Sequence, residues 1–533
     1  MKRTISHLLL TMLCLSATAQ TLDWGDQGNG TYKNPVLNAD YSDPDVIRVG
    51  EKYYMVCSDF HWLGMQVLES DDLVNWRLLS QVYRRMDFPG WDSNSHYAGG
   101  AWAPAIRHHD GKFWIYVCTP DEGLLMTTAT DPAGPWEPLC QVKQIEKWED
   151  PCPFWDDDGQ AYLGRSRHRA GPIIVHRMSP DGRQLLDDGV TVYQGPVAEG
   201  TKFLKRNGWY YLIIPEGGVS RGWQTVLRSR NIYGPYERKI VLEKGSTDIN
   251  GPHQGALVDT PDGQWWFLHF QSTTPNGRVL HLQPARWKDD WPLMGVDIDG
   301  NGVGEPIRVW TKPFPATTPS LPATTDEFDG PQLGLQWQWC HNPVDANWSL
   351  TKQKGALTLH TIPADSLKVC RQLLTQKVMG YESEATLLLT VAPIATQYSD
   401  KVQSAKCKVR SATPHSDLRS EKDGLRCGLA FTGKQFRAIG LSAEGIYTEE
   451  GGRYTLVKRC KVSKVWLRVA IDSRRNLHRF QYSIDGSHYE SAGDAFPMQE
   501  GYWKGIRVGL YAYHTKGSSQ TVWFDRFQYD VLH

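Results

Sequence analysis

Three carboxylates stand at matching places in this sequence. Asp43 and Asp150 each precede a proline, and Glu199 precedes a glycine. Each opens a run of the same form: a strand-like stretch, a tight turn containing glycine, then an aromatic strand. One Asp-Pro pair alone reads as an ordinary turn. Three carboxylates opening three similar units converge in space if the units surround a common centre. Carboxylates crowded into one cavity repel each other, and repulsion with desolvation spreads their proton affinities apart. A carboxyl that keeps its proton near one that has lost it is the pairing that acid–base hydrolysis of a glycosidic bond requires.

The units that position these groups recur five times, opening at Asp43, Ala103, Asp150, Glu199 and Gly255, with spacings of 60, 47, 49 and 56 residues. Each reads as a β-hairpin from its turn residues and β-rich flanks. A repeat near 50 residues has room for four strands, so five repeats predict a five-bladed β-propeller whose innermost strands face the axis. An irregular all-β sandwich is the alternative, and five similar copies argue against it. The repeats occupy residues 31–312. Residues 313–325 are rich in Pro and Thr and read as a linker or an extended strap. From 326 to 533 the repeat stops, and β-rich or alternating stretches predict a two-sheet β-sandwich of the jelly-roll kind. Residues 394–424 are polar and read as a long loop within it.

Composition narrows the classes. The chain has 533 residues, 40 % hydrophobic and 22 % charged, which is a globular balance. A net charge of −1 gives no basic surplus for nucleic acid. The 22 Trp, 23 Tyr and 15 Phe suit a large β core, and their flat faces also suit sugar rings. Residues 1–19 read as a signal peptide: Lys2 and Arg3, a short apolar run at 8–15, and Ala17-Thr18-Ala19 before the cut. That run is too short to span a bilayer, so no integral membrane segment is expected and the protein is read as exported, periplasmic or extracellular. Nine cysteines follow the peptide with no CxxC pair, which favours buried free thiols with one or two bridges at most.

The motifs themselves resemble a known family. NPVLNADYSDPDVIRVGEKYY at 34–54, EDPCPFWDDDGQAYL at 149–163 and AEGTKFLKRNGWYYL at 198–212 are similar to the three blade motifs of family 43 glycoside hydrolases. So are WAPAIRHHDGKFWIYV, GPHQGALVD and NGRVLHLQPARW, in the same order along the chain. FDGPQLGLQWQW at 328–339 resembles the start of the concanavalin-A-like sandwich found in the β-xylosidase and α-L-arabinofuranosidase branch. The resemblance implies an inverting hydrolase. It makes Asp43 the general base, Asp150 the residue that orients the acid and tunes it, and Glu199 the general acid. It implies that Arg278 contacts sugar and carboxylates, that Phe60 and Trp102 line the pocket, and that His253 sits near the axis beside a structural calcium (Ca2+) or sodium ion, with no organic cofactor. His61, Trp62 and Trp223 are weaker pocket candidates, and Glu216 adds a carboxylate near the acid. A second cation is expected in the sandwich, held by Asp326 or Asp329 with Asp525. The expected activity is removal of terminal β-D-xylose or α-L-arabinofuranose from plant-derived oligosaccharides. An endo-acting relative and a non-catalytic sugar-binding propeller are the alternatives.

Overall fold

A computed structural model describes residues 22–60, 63–93, 98–392 and 424–532. The signal-peptide stretch, His61, Trp62 and nearly all of the 394–424 loop lie outside the described residues. Within them the only helices are two single 3-10 turns, Asp345–Asn347 and Leu367–Val369.

Five four-stranded antiparallel sheets form the blades. Their innermost strands are Asp45–Val49, Trp102–His109, Trp148–Trp155, Lys202–Arg206 and His253–Asp259. Local chemistry sets the hairpins. Between Arg206 and Trp209, which face each other, Asn207 and Gly208 both have positive φ, 52° and 71°. That is the two-residue mirror turn whose twist matches the flanking strands, and Asn-Gly is its preferred filling. Asp110-Gly111 repeats it in the second blade.

The ring closes without a shared strand. The inner strands of the first and fifth blades pack together. The chain before the first blade also runs along the fifth, where Val36 N donates to Leu280 O at 2.8 Å and Leu280 N to Leu37 O at 3.1 Å.

Two eight-stranded sheets make the sandwich. Alternation explains its faces: in Glu382–Val391 every second residue is buried, from Ser383 to Val391, as one-sided packing requires. The first and last stretches are neighbours, with Asp326 and Phe527 exchanging backbone hydrogen bonds at 2.9 Å. The Pro/Thr-rich stretch is a strap fastened to the first blade. Thr317 Oγ1 donates to Asp72, and Ser320 N donates to Asn75 Oδ1 at 2.8 Å. Every cysteine among the described residues is a free thiol. No helix among them is long and apolar enough to cross a membrane.

Propeller and sandwich share one apolar core, in which Leu280 and Met55 belong to the same cluster as Leu374 and Ile506. Polar ties cross the same boundary. Lys377 Nζ lies 3.3 Å from Asp59 Oδ1, and Asn276 Nδ2 donates to Gly380 O at 2.9 Å. Gly277 and Gly505 meet backbone to backbone. A Cβ on Gly277 would sit 2.3 Å from Gly505 N, so this approach needs glycine.

Candidate active site

At the mouth of each blade the backbone takes one left-handed step. Asp43, Ala103, Asp150, Gly200 and Gln254 have φ of 52°, 41°, 56°, 63° and 35°. In three blades the strand pairing slips at this step, between Trp102 and Ala105, Glu149 and Cys152, and His253 and Gly255. Such a bulge re-aims side chains. Here it brings two consecutive residues of most blades to one cavity wall. The lining includes Asp43, Trp102, Ala103, Glu149, Asp150, Glu199, His253 and Gln254.

The step also corrects the expected register. Glu199 is level with Glu149, His253 and Trp102. Gly200 occupies the place that Asp43 and Asp150 hold in their blades. The three carboxylates still share the cavity, because both rings of positions face it.

The cavity has a volume of about 150 Å³, and Phe60, Arg278, His168, Arg169, Val219 and Trp503 complete its wall. Seven of the residues singled out in the sequence, Asp43, Asp150, Glu199, Arg278, Phe60, Trp102 and His253, line it. Two positions further along the inner strands the axis is closed by polar groups. Arg107 donates to Asp45 at 2.6 Å and to Cys152 Sγ at 2.8 Å.

Each carboxylate has a distinct setting. Asp43 Oδ1 accepts from Arg278 Nη1 at 2.8 Å, while Oδ2 accepts from Ser58 at 2.6 Å and Ser42 at 2.9 Å. Its charge is therefore paired and its rotamer held. Asp150 accepts from Gln254 Nε2 at 2.9 Å, from Gly200 N at 2.8 Å and from Ser166. Burial, then the charge of Glu199, raises its proton affinity. Glu199 Oε1 lies 3.0 Å from His253 Nε2. Carboxylate oxygens of Glu149, Asp150 and Glu199 lie within 4.8 Å of one another, and together they could hold a metal ion. Asp43 stands apart from that cluster.

Glu149 and Trp503 were not foreseen. Glu149 accepts from Ala170 N at 3.2 Å and faces His168 Nδ1 at 3.7 Å. Burial first, then Asp150 and Glu199, push its carboxyl up to about 9, so it is protonated at neutral pH. It was visible in the sequence only as the neighbour of Asp150, and the one-residue register error hid it. Trp503 comes from the sandwich. Its ring lies 5.4 Å from Trp102 and 5.9 Å from Phe60, and His168 stacks on Trp102 at 5.0 Å while meeting Trp503 edge-on at 6.1 Å.

Other candidates lie elsewhere. Trp223 donates to Glu216 at 3.3 Å and does not line the cavity. Glu216 is fully buried and held by Tyr193 at 2.7 Å, Thr225 at 2.5 Å and Arg238. Burial would raise its proton affinity, but these hydrogen bonds outweigh it and hold the carboxyl low. In the sandwich, Asp326 is occupied by Phe328 N at 2.8 Å and Trp337 Nε1 at 2.8 Å, while Asp329 and Asp525 are exposed. Among the described residues the three do not form a ligand cluster.

Comparison with known proteins finds two family models that match this chain. Residues 32–292 match the model of glycosyl hydrolases family 43. Residues 325–399 and 411–530 match that of the beta xylosidase C-terminal concanavalin A-like domain. A putative beta-xylosidase of Xylanibacter ruminicola is 59 % identical over 489 residues, covering 92 % of this chain and 88 % of its own. A beta-xylosidase of Formosa agariphila is 34 % identical over 571 residues, covering 96 % and 93 %. Among solved structures, the GH43 BlXynB protein of Bacillus licheniformis superposes with a TM-score of 0.78 at 25 % identity, over 94 % of this chain and all of that one.

Proposed function

The chain belongs to glycosyl hydrolases family 43, and on that premise we propose that it removes single terminal pentoses, β-D-xylose first and α-L-arabinofuranose second, from plant-derived oligosaccharides with inversion. The small volume of the cavity carries this reading. Pockets for drug-sized ligands run to about 300–1,000 Å³, and a volume of about 150 Å³ suits one sugar ring at a chain end better than a chain passing through. The names of the two relatives favour xylose.

In the proposed mechanism Asp43 takes a proton from water as it attacks the anomeric carbon, and Glu199 gives a proton to the departing oxygen. Inverting sites place these two carboxyls about 6.5–9.5 Å apart, with the water beside the base. Arg278 and the two serines fix the direction of the Asp43 carboxylate. Asp150 is the positioning residue. Through Gly200 N it holds the backbone next to Glu199, and its charge makes proton loss from the cluster harder. Phe60 and Trp102 offer apolar faces to the sugar.

A calcium ion beside His253 is part of the proposal. His253 is buried, and while Nε2 lies 3.0 Å from Glu199 Oε1, Nδ1 has no hydrogen-bond partner. Such an orphaned group fits a hydrated ion, with carboxylate oxygens at hand as the hard donors calcium prefers. The ion would supply positive potential at the cavity floor. Export is likewise proposed, from the charged, apolar and small-residue order of residues 1–19.

A panel of aryl β-D-xylosides and α-L-arabinofuranosides, with the anomer of the first product followed by NMR, tests the function. Release of the opposite anomer from a terminal pentoside supports it. A retained configuration, or no turnover of any terminal pentoside, refutes it.

A further inference from the structure

The cavity wall continues outward along a turn of the sandwich. Gly501 and Lys504 bridge each other, so residues 502 and 503 form the tip. Trp503 has φ of 61°. A bulky residue in the left-handed region is uncommon and marks a position held by its surroundings. Its ring enters the cavity wall, while the Tyr502 ring is 64 % exposed and lies 6.3 Å from it, centre to centre. The two aromatics therefore make a path from the cavity mouth to the outer surface.

Beside Tyr502 is a hollow of about 360 Å³ lined by Lys434, Gln499, Glu500, Gly501 and Tyr502. Its frame is fixed from both domains. Thr274 of the propeller donates to Glu500 at 3.0 Å, and Lys434 N donates to Gln499 O at 2.9 Å. The turn then runs into the Gly505 and Gly277 contact. An exposed tyrosine on a braced turn, with an ammonium, an amide and a carboxylate around it, combines a flat apolar face with hydroxyl partners. A sugar ring presents the complementary surface: apolar C–H faces and a rim of hydroxyls.

We propose that the turn at 501–504 carries an outer subsite on the leaving-group side, in which Tyr502 stacks on the second sugar beyond the bond that is cut and Lys434, Gln499 and Glu500 bind its hydroxyls. The occupant is the remainder of the same oligosaccharide whose terminal sugar fills the cavity. This rests on the function proposed above. It adds a length preference that a one-ring cavity by itself does not provide. The braced turn pays little ordering entropy on binding.

The test is kcat/KM on an aryl pentoside and on the pentose di-, tri- and tetrasaccharides, for the wild type, Tyr502→Ala and Tyr502→Phe. The wild type should gain from disaccharide to trisaccharide. Tyr502→Ala should keep aryl pentoside and disaccharide rates within about twofold and lose about five- to tenfold on the trisaccharide, the size of one aromatic contact. Tyr502→Phe should keep the gain. A wild type with equal rates on di- and trisaccharide, or an alanine variant that keeps the gain, overturns the subsite while leaving the cavity's function standing. Absence of turnover on all of these substrates overturns both.

Discussion

Replacing Asp150 by Asn removes one charge from a cluster of three carboxyls and leaves the shape nearly unchanged. The backbone step at Asp150 suits the exchange, since Asn tolerates the left-handed region as Asp does. The amide oxygen can still accept from Gly200 N and Ser166, and Gln254 can turn its amide to meet the new NH2. The electrostatic change is large. Two charges no more than 4.8 Å apart at an effective dielectric constant of about 20 repel by at least about 3 kcal/mol. At 1.36 kcal/mol per unit that is about two pH units. Glu199 keeps 17 % exposure to solvent, which trims the effect to about one to two units. The sign follows from what is lost: without the neighbouring negative charge the cluster releases its proton more easily. The alkaline limb of the pH–rate profile, which reports loss of the donor's proton, moves to lower pH. Glu149→Gln is the contrast. Glu149 already holds a proton at neutral pH, so its replacement removes no charge there. The limb should stay within about 0.3 units. Profiles of kcat/KM on one substrate, with unfolding curves as a control for folding, decide it. An unmoved limb in Asp150→Asn, or an equal move in Glu149→Gln, would show that the cluster does not share protons in this way.

Glu199→Gln should lose about 10²–10⁴-fold on pentosides with poor leaving alcohols and far less on aryl pentosides whose leaving group needs no proton. Equal losses on both would remove Glu199 from the donor's role. Exhaustive chelation should lower the melting temperature or the activity, and added calcium should restore it. A metal-free protein with unchanged melting and turnover refutes the ion beside His253. A chain ended near Thr311, before the proposed strap, should be insoluble or nearly inactive. It exposes the shared core and loses Trp503 from the cavity wall. A soluble truncation with full activity would contradict that dependence.

The propeller was legible because its units repeat. Asn207-Gly208 and Asp110-Gly111 announce their turns, and Asp43 and Asp150 sit beside prolines that mark the blade mouths. The sandwich was legible from alternation in stretches such as Glu382–Val391. The offset of Glu199 was not. A bulge adds a residue to one strand without a signature in residue type, and Gly200 fills the left-handed position as readily as Asp does elsewhere. Glu149 was lost to the same offset. Trp503 lies some 300 residues beyond Glu199, and nothing local distinguishes a tryptophan at a site from one in a core. Only the packing of the two domains, through contacts such as Asn276 with Gly380, brings it there.

The left-handed step at the five blade mouths separates chemistry from architecture. Strand pairing resumes one or two residues later, at Asp45, Ala105, Cys152, Lys202 and Gly255, whatever side chain the step presents. A substitution at a mouth position therefore alters the reactive surface while the ladder behind it is left intact. Eight such positions line the cavity and act as sockets whose contents can be exchanged one at a time. Carboxylate, imidazole, amide, indole and methyl already occupy them in this one molecule, at Asp43, His253, Gln254, Trp102 and Ala103. Such a scaffold can drift between sugars, or between cutting and merely holding them, by routes that never pass through an unfolded intermediate.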